Sequence, residues 1–154
     1  MPQILIALSI LLFATSLTQT GFYVDIVYNP IPGFSCLLFG WMVLNQGIIA
    51  WAANPVLVLA WYFAGFRSKW HDAGLCSFGS LLLALSFLKH QFVTIWGTSL
   101  FGQRVETYSI TTYGIGYWLW IASISMSLIG CIVAISKPRT SRPAPTTGSP
   151  PEQL

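Results

Sequence analysis

Charged side chains are scarce in this sequence. Asp, Glu, Lys and Arg together make up 7% of its 154 residues, whereas soluble domains carry about 25%. From Met1 to Phe66 the one charged residue is Asp25. A soluble domain of this size covers most of its surface with polar side chains, and this chain has too few of them. The composition therefore predicts that lipid, rather than water, surrounds most of the chain.

Residue types that carry catalysis or bind metals are also sparse. There are two histidines, and the three cysteines, Cys36, Cys76 and Cys131, lie in apolar segments without a CxxC pair. Cysteines in such places are expected to act as small packing residues. Because the acids and bases are scattered, they form no catalytic cluster. We therefore predict a protein that is not an enzyme and that holds no cofactor and no metal.

The dispersed charge excludes two further classes of protein. The net charge is +3, but the positive residues form no single patch, and nucleic-acid binding needs clustered Lys and Arg to neutralise phosphates. No Asp, Glu, Lys or Arg lies inside an apolar segment, which argues against a proton relay or an ion pump.

Long apolar segments dominate what is present. They cover residues 4–17, 34–50, 55–66, 73–88 and 113–136. A membrane-spanning helix needs about 20 apolar residues, so we predict an all-α membrane protein, a bundle of four to five transmembrane helices formed by residues 1–136. The first segment is interpreted as a retained helix, because no Lys or Arg precedes it and no clear cleavage site follows; a cleaved signal peptide is the alternative.

The second and third segments are too long to form one helix. Residues 34–66 would make a straight helix of about 50 Å, and the hydrocarbon core is about 30 Å thick. A break is predicted near Asn54-Pro55, because proline disfavours helical geometry in the residue before it and suits the first turn of a new helix, which Asn54 would cap. Two short crossings would give five spans and place Met1 outside. One effective crossing, favoured by the short third segment, would give four spans and place Met1 inside.

Four residues around this break form a candidate polar site: Asn45, Gln46, Asn54 and Pro55. Polar side chains are costly in lipid and tend to find partners. They are expected to bond to another helix or to the broken backbone. The alternative is that they line a small site, as transporters build at discontinuous helices.

Two segments do not follow the helical pattern. Residues 104–111 are rich in β-forming residues, which predicts a short hairpin or a loop lying at the membrane interface. Residues 137–154 hold five of the nine prolines together with Ser, Thr and Gly, and such a segment has nothing to bury. It is predicted to be a disordered tail.

The basic residues predict an orientation, because Lys and Arg near span ends prefer the cytoplasm. One group combines the loop after the third segment with the tail: Arg67, Lys69, Lys137, Arg139 and Arg142. The opposing group, between the fourth and fifth segments, has only Lys89 and Arg104. The C-terminal tail is therefore predicted to be cytoplasmic.

Small residues recur at helical spacing in the last two apolar segments. The candidate packing surface consists of Ser77, Ser80, Ala84, Ser123, Ser127, Gly130, Cys131 and Ala134. Stripes of small residues let membrane helices approach closely. The ordinary interpretation is that the two segments pack on each other as a hairpin, and a homo-oligomer or partner interface is the alternative.

A run of aromatic residues precedes the fifth segment. Tyr113, Tyr117, Trp118 and Trp120 are interpreted as anchors at the membrane–water interface, where Tyr and Trp are enriched. The alternative is a docking surface.

Three sequence patterns resemble those of small, uncharacterised bacterial inner-membrane proteins. They are Gly40-Trp41, the run from Ala50 to Pro55, and the run from Tyr113 to Ser123. The resemblance covers about residues 33–134. It implies a bacterial inner membrane location and no known activity.

Several functions are compatible with these features. The first is a non-enzymatic membrane protein, an accessory or assembly subunit that binds other membrane proteins through its helices. The alternatives are an immunity protein against a pore-forming toxin and a small transporter for a neutral solute that uses the break. The expected partners are the lipid bilayer and a membrane protein or a second copy of the chain, with no nucleic acid.

Overall fold

The computed structural model describes residues 2–25, 29–90, 92–99 and 102–136. The predicted tail therefore lies outside the described residues. The described chain is mostly helical. Its helices and strands are α1 (Pro2–Thr18), β1 (Thr20–Val24), β2 (Asn29–Pro32), α2 (Gly33–Phe39), two 3₁₀ helices (Gly40–Gln46 and Ile49–Ala52), α3 (Ala53–Gly65), α4 (Trp70–Ser86) with a 3₁₀ turn (Phe87–Lys89), β3 (Phe92–Ser99), β4 (Gly102–Tyr113) and α5 (Ile115–Ile135).

Two helices of the described chain are long and apolar enough to cross a membrane. They are Trp70–Lys89, which is α4 with its 3₁₀ turn, and α5, with 20 and 21 residues. Shorter apolar helices cover Pro2–Thr18, Gly33–Met42 and Ile49–Gly65. Four of the five apolar segments therefore correspond to single helices, while two of the described helices reach the length of a full membrane span.

Four helices run alternately up and down. The midpoints of α1 and α5 meet where Ser9 and Ser123 bond to each other, and the end of α5 returns to the start of α1, because Gly130 lies beside Leu5. Helix α4 is antiparallel to both α3 and α5. One end of the bundle, here called the tail end, therefore holds the start of α1, the α3–α4 turn and the end of α5. The other end is called the sheet end.

A four-stranded antiparallel sheet closes the sheet end, with the strand order β2-β1-β4-β3. The long hairpin of β3 and β4 pairs from Phe92↔Ser109 to Ser99↔Gly102, and β1 joins it through Phe22↔Tyr113. Of the two structures predicted for residues 104–111, a short hairpin or an interface-lying loop, the hairpin is the one found, because these residues lie in β4. The prediction that the fold is entirely helical is wrong, because the Thr-rich and aromatic residues that follow α4 and α1 pair as strands.

The helix break lies earlier than predicted. Residues 34–50 do not form one helix: α2 ends at Phe39, and the first 3₁₀ helix ends at Gly47, which adopts the left-handed conformation (φ 78°). Glycine has no Cβ to oppose that conformation. Helix α3 then begins at Ala53 and has no side-chain cap, so Asn54 lies inside its first turn instead of capping it. Pro55 is tolerated there because the amide groups of a first turn have no acceptor within the helix, so the missing N–H of proline costs no helical hydrogen bond.

The interior of the bundle holds small residues, while large apolar side chains point outward. On α4, Ala73, Ser77, Ser80 and Ala84 are fully buried, whereas Leu75 is 72% exposed. Helix α5 follows this pattern in part: it buries Ser123 and Ser127 and exposes Ile129 and Ile132, although Tyr117 and Ile124 are buried too. A water-soluble helix buries its large apolar residues. The reversed distribution is typical of helices that pack closely within lipid.

Candidate functional site

The candidate packing surface lies inside the bundle. Ser77 and Ser127 share a hydrogen bond of 2.9 Å between α4 and α5, and Ser80 donates to the carbonyl oxygen of Ala53 at the start of α3 (2.8 Å). Gly130 and Cys131 are buried against α1 and α4, respectively, whereas Ala134 is only half-buried. These residues therefore join the helices of one chain, and most of them are inaccessible to a partner while the bundle is closed.

Ser9 connects three helices at the centre of this interior. Its Oγ donates to the carbonyl oxygen of Ser123 (2.8 Å), and Ser123 Oγ donates in return to the carbonyl oxygen of Ser9 (2.8 Å). The indole N–H of Trp61 donates to Ser9 Oγ (3.0 Å). In this way α1, α3 and α5 satisfy one another's polar groups directly.

The four candidate anchor residues occupy different environments. Trp118 is 52% exposed and faces outward. Tyr117 is only 4% exposed, and its hydroxyl donates to the carbonyl oxygen of Ala84 (3.0 Å). Tyr113 and Trp120 are half-buried. Only Trp118 therefore has the exposure expected of an anchor in the headgroup region.

Aromatic rings form a connected cluster at the sheet end. The ring of Phe87 contacts Phe22, Tyr113 and Tyr117 with centroids 5.7 to 6.0 Å apart, and Tyr117 also contacts Trp120 (5.9 Å). The Tyr113 hydroxyl donates to the carbonyl oxygen of Phe87 (3.2 Å), and burial raises the pKa of this phenol. The cluster holds β1, the end of α4 and the start of α5 together.

A cavity of about 510 Å³ lies beside this cluster, between the end of α1, the broken region and the start of α5. The three sequence patterns singled out above come together there, since the following residues line it: Gly40, Ala50, Trp51, Asn54, Gly116, Tyr117 and Trp120. Further wall residues come from α1, the sheet and the end of α4: Phe13, Leu17, Phe22, Ile31 and Phe87. A volume of this size is typical of small-molecule sites.

Glycines give this cavity its shape. A Cβ at Gly40 would lie 2.5 Å from the ring of Trp51, so the glycine lets the indole pack flat beside the first 3₁₀ helix. A Cβ at Gly116 would lie 2.8 Å from the carbonyl oxygen of Thr20 and 2.9 Å from that of Ser16. The close approach at Gly40 packs the two 3₁₀ helices together, and the one at Gly116 packs α5 against the end of α1 and the start of β1.

The wall carries no charged side chain among the described residues. Three of its polar side chains donate to backbone carbonyl oxygens: Ser16 to Phe13, Trp51 to Leu37, and Tyr117 to Ala84. Trp120 differs, because its indole N–H is buried and has no hydrogen-bond partner within the described part of the chain. A buried donor without a partner is uncommon and costly. The cavity is therefore neutral and mostly apolar.

The candidate polar site is only partly assembled. Asn54 lines the cavity, whereas Pro55 is exposed on the first turn of α3. The side chains of Asn45 and Gln46 lie outside what the structure describes, so their predicted role stays a prediction. No group of three His, Cys, Asp or Glu side chains that could hold a metal ion occurs within residues 2–25, 29–90, 92–99 and 102–136.

The sequence indicates a small site at the helix break only as an alternative, and it does not indicate the residues of α1, the sheet and α5 that complete the cavity wall. Its residues come from segments that are far apart in the chain, and each had a simpler interpretation as an anchor, a turn or a packing residue. Comparison with known protein families, curated proteins and solved structures finds no match to this chain. The feature that indicates a function is therefore the cavity itself, where residues of the three sequence patterns meet.

Proposed function

We propose that this chain is a multi-pass protein of the bacterial inner membrane that works by binding rather than by catalysis, and that the cavity at the helix break is its binding site. The observation that carries the proposal is a half-open cavity with an uncharged, mostly apolar wall, at the sheet end of a bundle whose outward side chains are largely apolar. Such a wall favours an uncharged apolar ligand, and the surrounding bilayer would supply it.

The reversed distribution of residues supports the membrane location. Exposed side chains on α4 and α5 include Leu75, Phe78, Leu82, Ile129 and Ile132. Exposing this apolar surface to water is unfavourable, whereas lipid would solvate it. The resemblance to small bacterial inner-membrane proteins supports the choice of membrane. Extraction at alkaline pH tests this step: the full chain should remain with the membrane pellet, and release into the supernatant would refute it.

The arrangement of the helices favours four crossings, made by α1, α3, α4 and α5. The start of α1 and the end of α5 lie at the same end of the bundle, which requires an even number of crossings. Helix α2 and the two 3₁₀ helices would then form a re-entrant segment at the sheet end. Arg67 and Lys69 are exposed at the tail end, and the basic residues of the tail follow α5 in the sequence, so the tail end is proposed to be cytoplasmic.

Reporter fusions test this topology. A cytoplasmic reporter should be active when it is fused before Met1 or after Leu154, and a periplasmic reporter should be active when it is inserted in the β3–β4 hairpin. Opposite locations for the two chain ends would refute four crossings.

Photolabelling tests the binding site. An uncharged alkane that bears a diazirine is added at a low mole fraction to bilayers containing the full chain, and adducts are mapped by mass spectrometry. Labelling of cavity residues should saturate, whereas labelling of lipid-facing residues should rise linearly. Cys36 lines the cavity, so Cys36→Phe should reduce the saturable labelling. Leu38→Phe, on the exposed face of the same helix, is the matched control, and equal labelling of the two variants would contradict the proposal.

Transport of a neutral solute is a second candidate, because the cavity adjoins two 3₁₀ helices and the left-handed Gly47. Discontinuous helices of this kind form the solute sites of many transporters. Replacement of Asn45 and Gln46 by Leu should then abolish uptake into proteoliposomes while the melting temperature stays unchanged. If the unmodified chain gives no flux, this candidate fails.

Binding of a membrane-protein partner, or of a second copy of the chain, is a further proposal. It would use a different surface of the protein from the cavity. Because the small residues of α4 and α5 are used inside the chain, a partner would meet the bulky outward faces of those helices. Purification in mild detergent should then recover a stoichiometric complex. A chain that always runs alone would argue against both the accessory-subunit and the immunity hypotheses.

A further inference from the structure

Two polar side chains in the cavity wall have no partner. The Ser16 hydroxyl, the Trp51 indole and the Tyr117 phenol donate to backbone carbonyl oxygens. Asn54 and Ser35 also line the cavity, and their side chains form no hydrogen bond within the described part of the chain. Polar groups enclosed in a protein are usually hydrogen-bonded, so these two are available to a ligand.

The position of Asn54 on α3 directs its side chain towards the cavity. Trp61 follows it by seven residues, which is close to two turns, so the two side chains project within about 20° of each other around the helix. Trp61 faces α1, because its ring packs edge-on against Phe13 with centroids 5.4 Å apart and its N–H donates to Ser9. Asn54 therefore faces the side of the bundle where the end of α1 forms a wall of the cavity.

The Asn54 carboxamide is also within reach of a ligand. Asn54 is half-buried, and its side-chain oxygen and nitrogen keep accessible surface. The Trp120 indole nitrogen, by contrast, has less than 1 Å² of accessible surface and is sealed from the cavity. Ser35 lies one turn before Phe39 on α2, and because Phe39 is 58% exposed, the Ser35 hydroxyl lies towards the cavity mouth. Asn54 is therefore the polar group that can hold a ligand inside.

We infer that the cavity binds an uncharged long-chain alcohol, whose hydroxyl group exchanges hydrogen bonds with the Asn54 carboxamide while its alkyl chain fills the apolar remainder. This inference rests on the proposed cavity site and adds the chemistry of its ligand. A carboxamide both accepts and donates hydrogen bonds, so its complement is a group that does both. A hydroxyl is the smallest uncharged group of this kind.

The rest of the wall supports an uncharged ligand with one apolar chain. No charged side chain lines the cavity within the described residues, so a carboxylate or phosphate would lose its hydration without gaining a counter-ion. The half-open cavity of about 510 Å³ has the size of a small-molecule site, and a phospholipid with two chains and a phosphate headgroup is much larger.

A matched series of ligands tests the inference by competition with the diazirine-bearing alkane in bilayers that contain the full chain. The competitors are hexadecanol, its methyl ether, heptadecane and palmitate, all dosed by their mole fraction in lipid. For each of them, the mole fraction that halves the saturable labelling is measured. The ether accepts a hydrogen bond but donates none, so it separates the two halves of the exchange with the carboxamide.

Asn54→Leu should weaken protection by hexadecanol, relative to heptadecane, about fivefold for each neutral hydrogen bond lost. The loss should be smaller for the ether. Because each ligand distributes in the bilayer in the same way whichever variant is present, the comparison isolates the contact with Asn54. Gln19→Leu is the matched control, since it removes a carboxamide that bonds to Thr18 and does not line the cavity, and it should leave the ratio unchanged.

The folding of each variant is checked by its melting temperature. If Asn54→Leu does not fold, nuclear magnetic resonance of the unmodified chain provides a second measurement. Labelling with ¹⁵N-asparagine and ¹³C-carbonyl alanine identifies Asn54, because Ala53-Asn54 is the one Ala-Asn pair in the sequence. The side-chain NH₂ resonances of Asn54 should shift with hexadecanol and not with heptadecane.

The outcomes separate the inference from the proposal on which it rests. An unchanged ratio in Asn54→Leu, or unshifted NH₂ resonances in the unmodified chain, would overturn the inference and leave the cavity site standing. Stronger protection by the ether or by palmitate than by hexadecanol would also overturn it. An absence of saturable labelling would refute the site itself.

Discussion

Replacing Ser9 tests how the bundle is held together. Ser9→Ala removes the bond to the carbonyl oxygen of Ser123 and deprives the Trp61 indole N–H of its acceptor. Hydrogen bonds between membrane helices contribute about 0.6 kcal/mol each, and an unsatisfied donor in such an interface costs about 1 kcal/mol more. We therefore expect Ser9→Ala to lower the free energy of unfolding by about 2 kcal/mol, a large effect for the loss of a single oxygen atom.

Matched variants separate these contributions. Ser123→Ala removes one donated bond and should cost about 0.6 kcal/mol. Ser125→Ala removes only a bond to Ile121, one turn earlier in the same helix, and should change little. The free energy of unfolding is measured in mixed micelles with increasing dodecyl sulfate, and helix loss is followed by circular dichroism. If Ser9→Ala is no more destabilising than Ser125→Ala, the three-helix junction does not hold the bundle together.

Three further predictions concern the sheet end and the lipid-facing surface. Gly116→Ala should lower the free energy of unfolding by about 1 to 3 kcal/mol in the same assay, because the new Cβ would lie 2.8 Å from the carbonyl oxygen of Thr20. Gly79→Ala meets open space and should be neutral or stabilise by up to about 1 kcal/mol; an equal loss from both would contradict the close packing. Burial raises the pKa of Tyr113, so its neutral hydroxyl should contribute fully to the free energy of unfolding below about pH 10. That contribution should decline as the pH rises further, and Tyr113→Phe should lessen the decline.

The sequence predicted the helices and one strand for simple physical reasons. Segments such as 73–88 and 113–136 are apolar over a length that only a helix can use in lipid. Residues 104–111 carry the branched and aromatic side chains that fit a pleated sheet. Their partner strand, Phe92–Ser99, is not predicted, because pairing depends on the neighbouring strand as well as on local preference.

The break and the cavity were harder to predict. Asn54-Pro55 is a stronger local pattern than Gly47, yet the first turn of α3 tolerates proline, and the chain turns where glycine adopts a positive φ. Trp120 is predicted to be an anchor because Tyr and Trp are enriched at membrane interfaces. Its position beside Tyr117 and Trp118 in the sequence does not show which of these side chains faces the interior. That assignment depends on how α5 is rotated against α1, and the rotation is set by contacts between residues more than 100 positions apart, such as Ser9 and Ser123.

The antiparallel packing of α1 on α5 has a consequence for how the protein is made. Helix α1 is synthesised before α5, but the hydroxyl of Ser9 finds its acceptor on α5, more than 100 residues later in the chain. Until α5 has been synthesised, the Ser9 hydroxyl lacks this acceptor. A chain that stops before Ile115 would therefore leave α1 without the helix that Ser9 bonds to and that Gly130 lets approach Leu5.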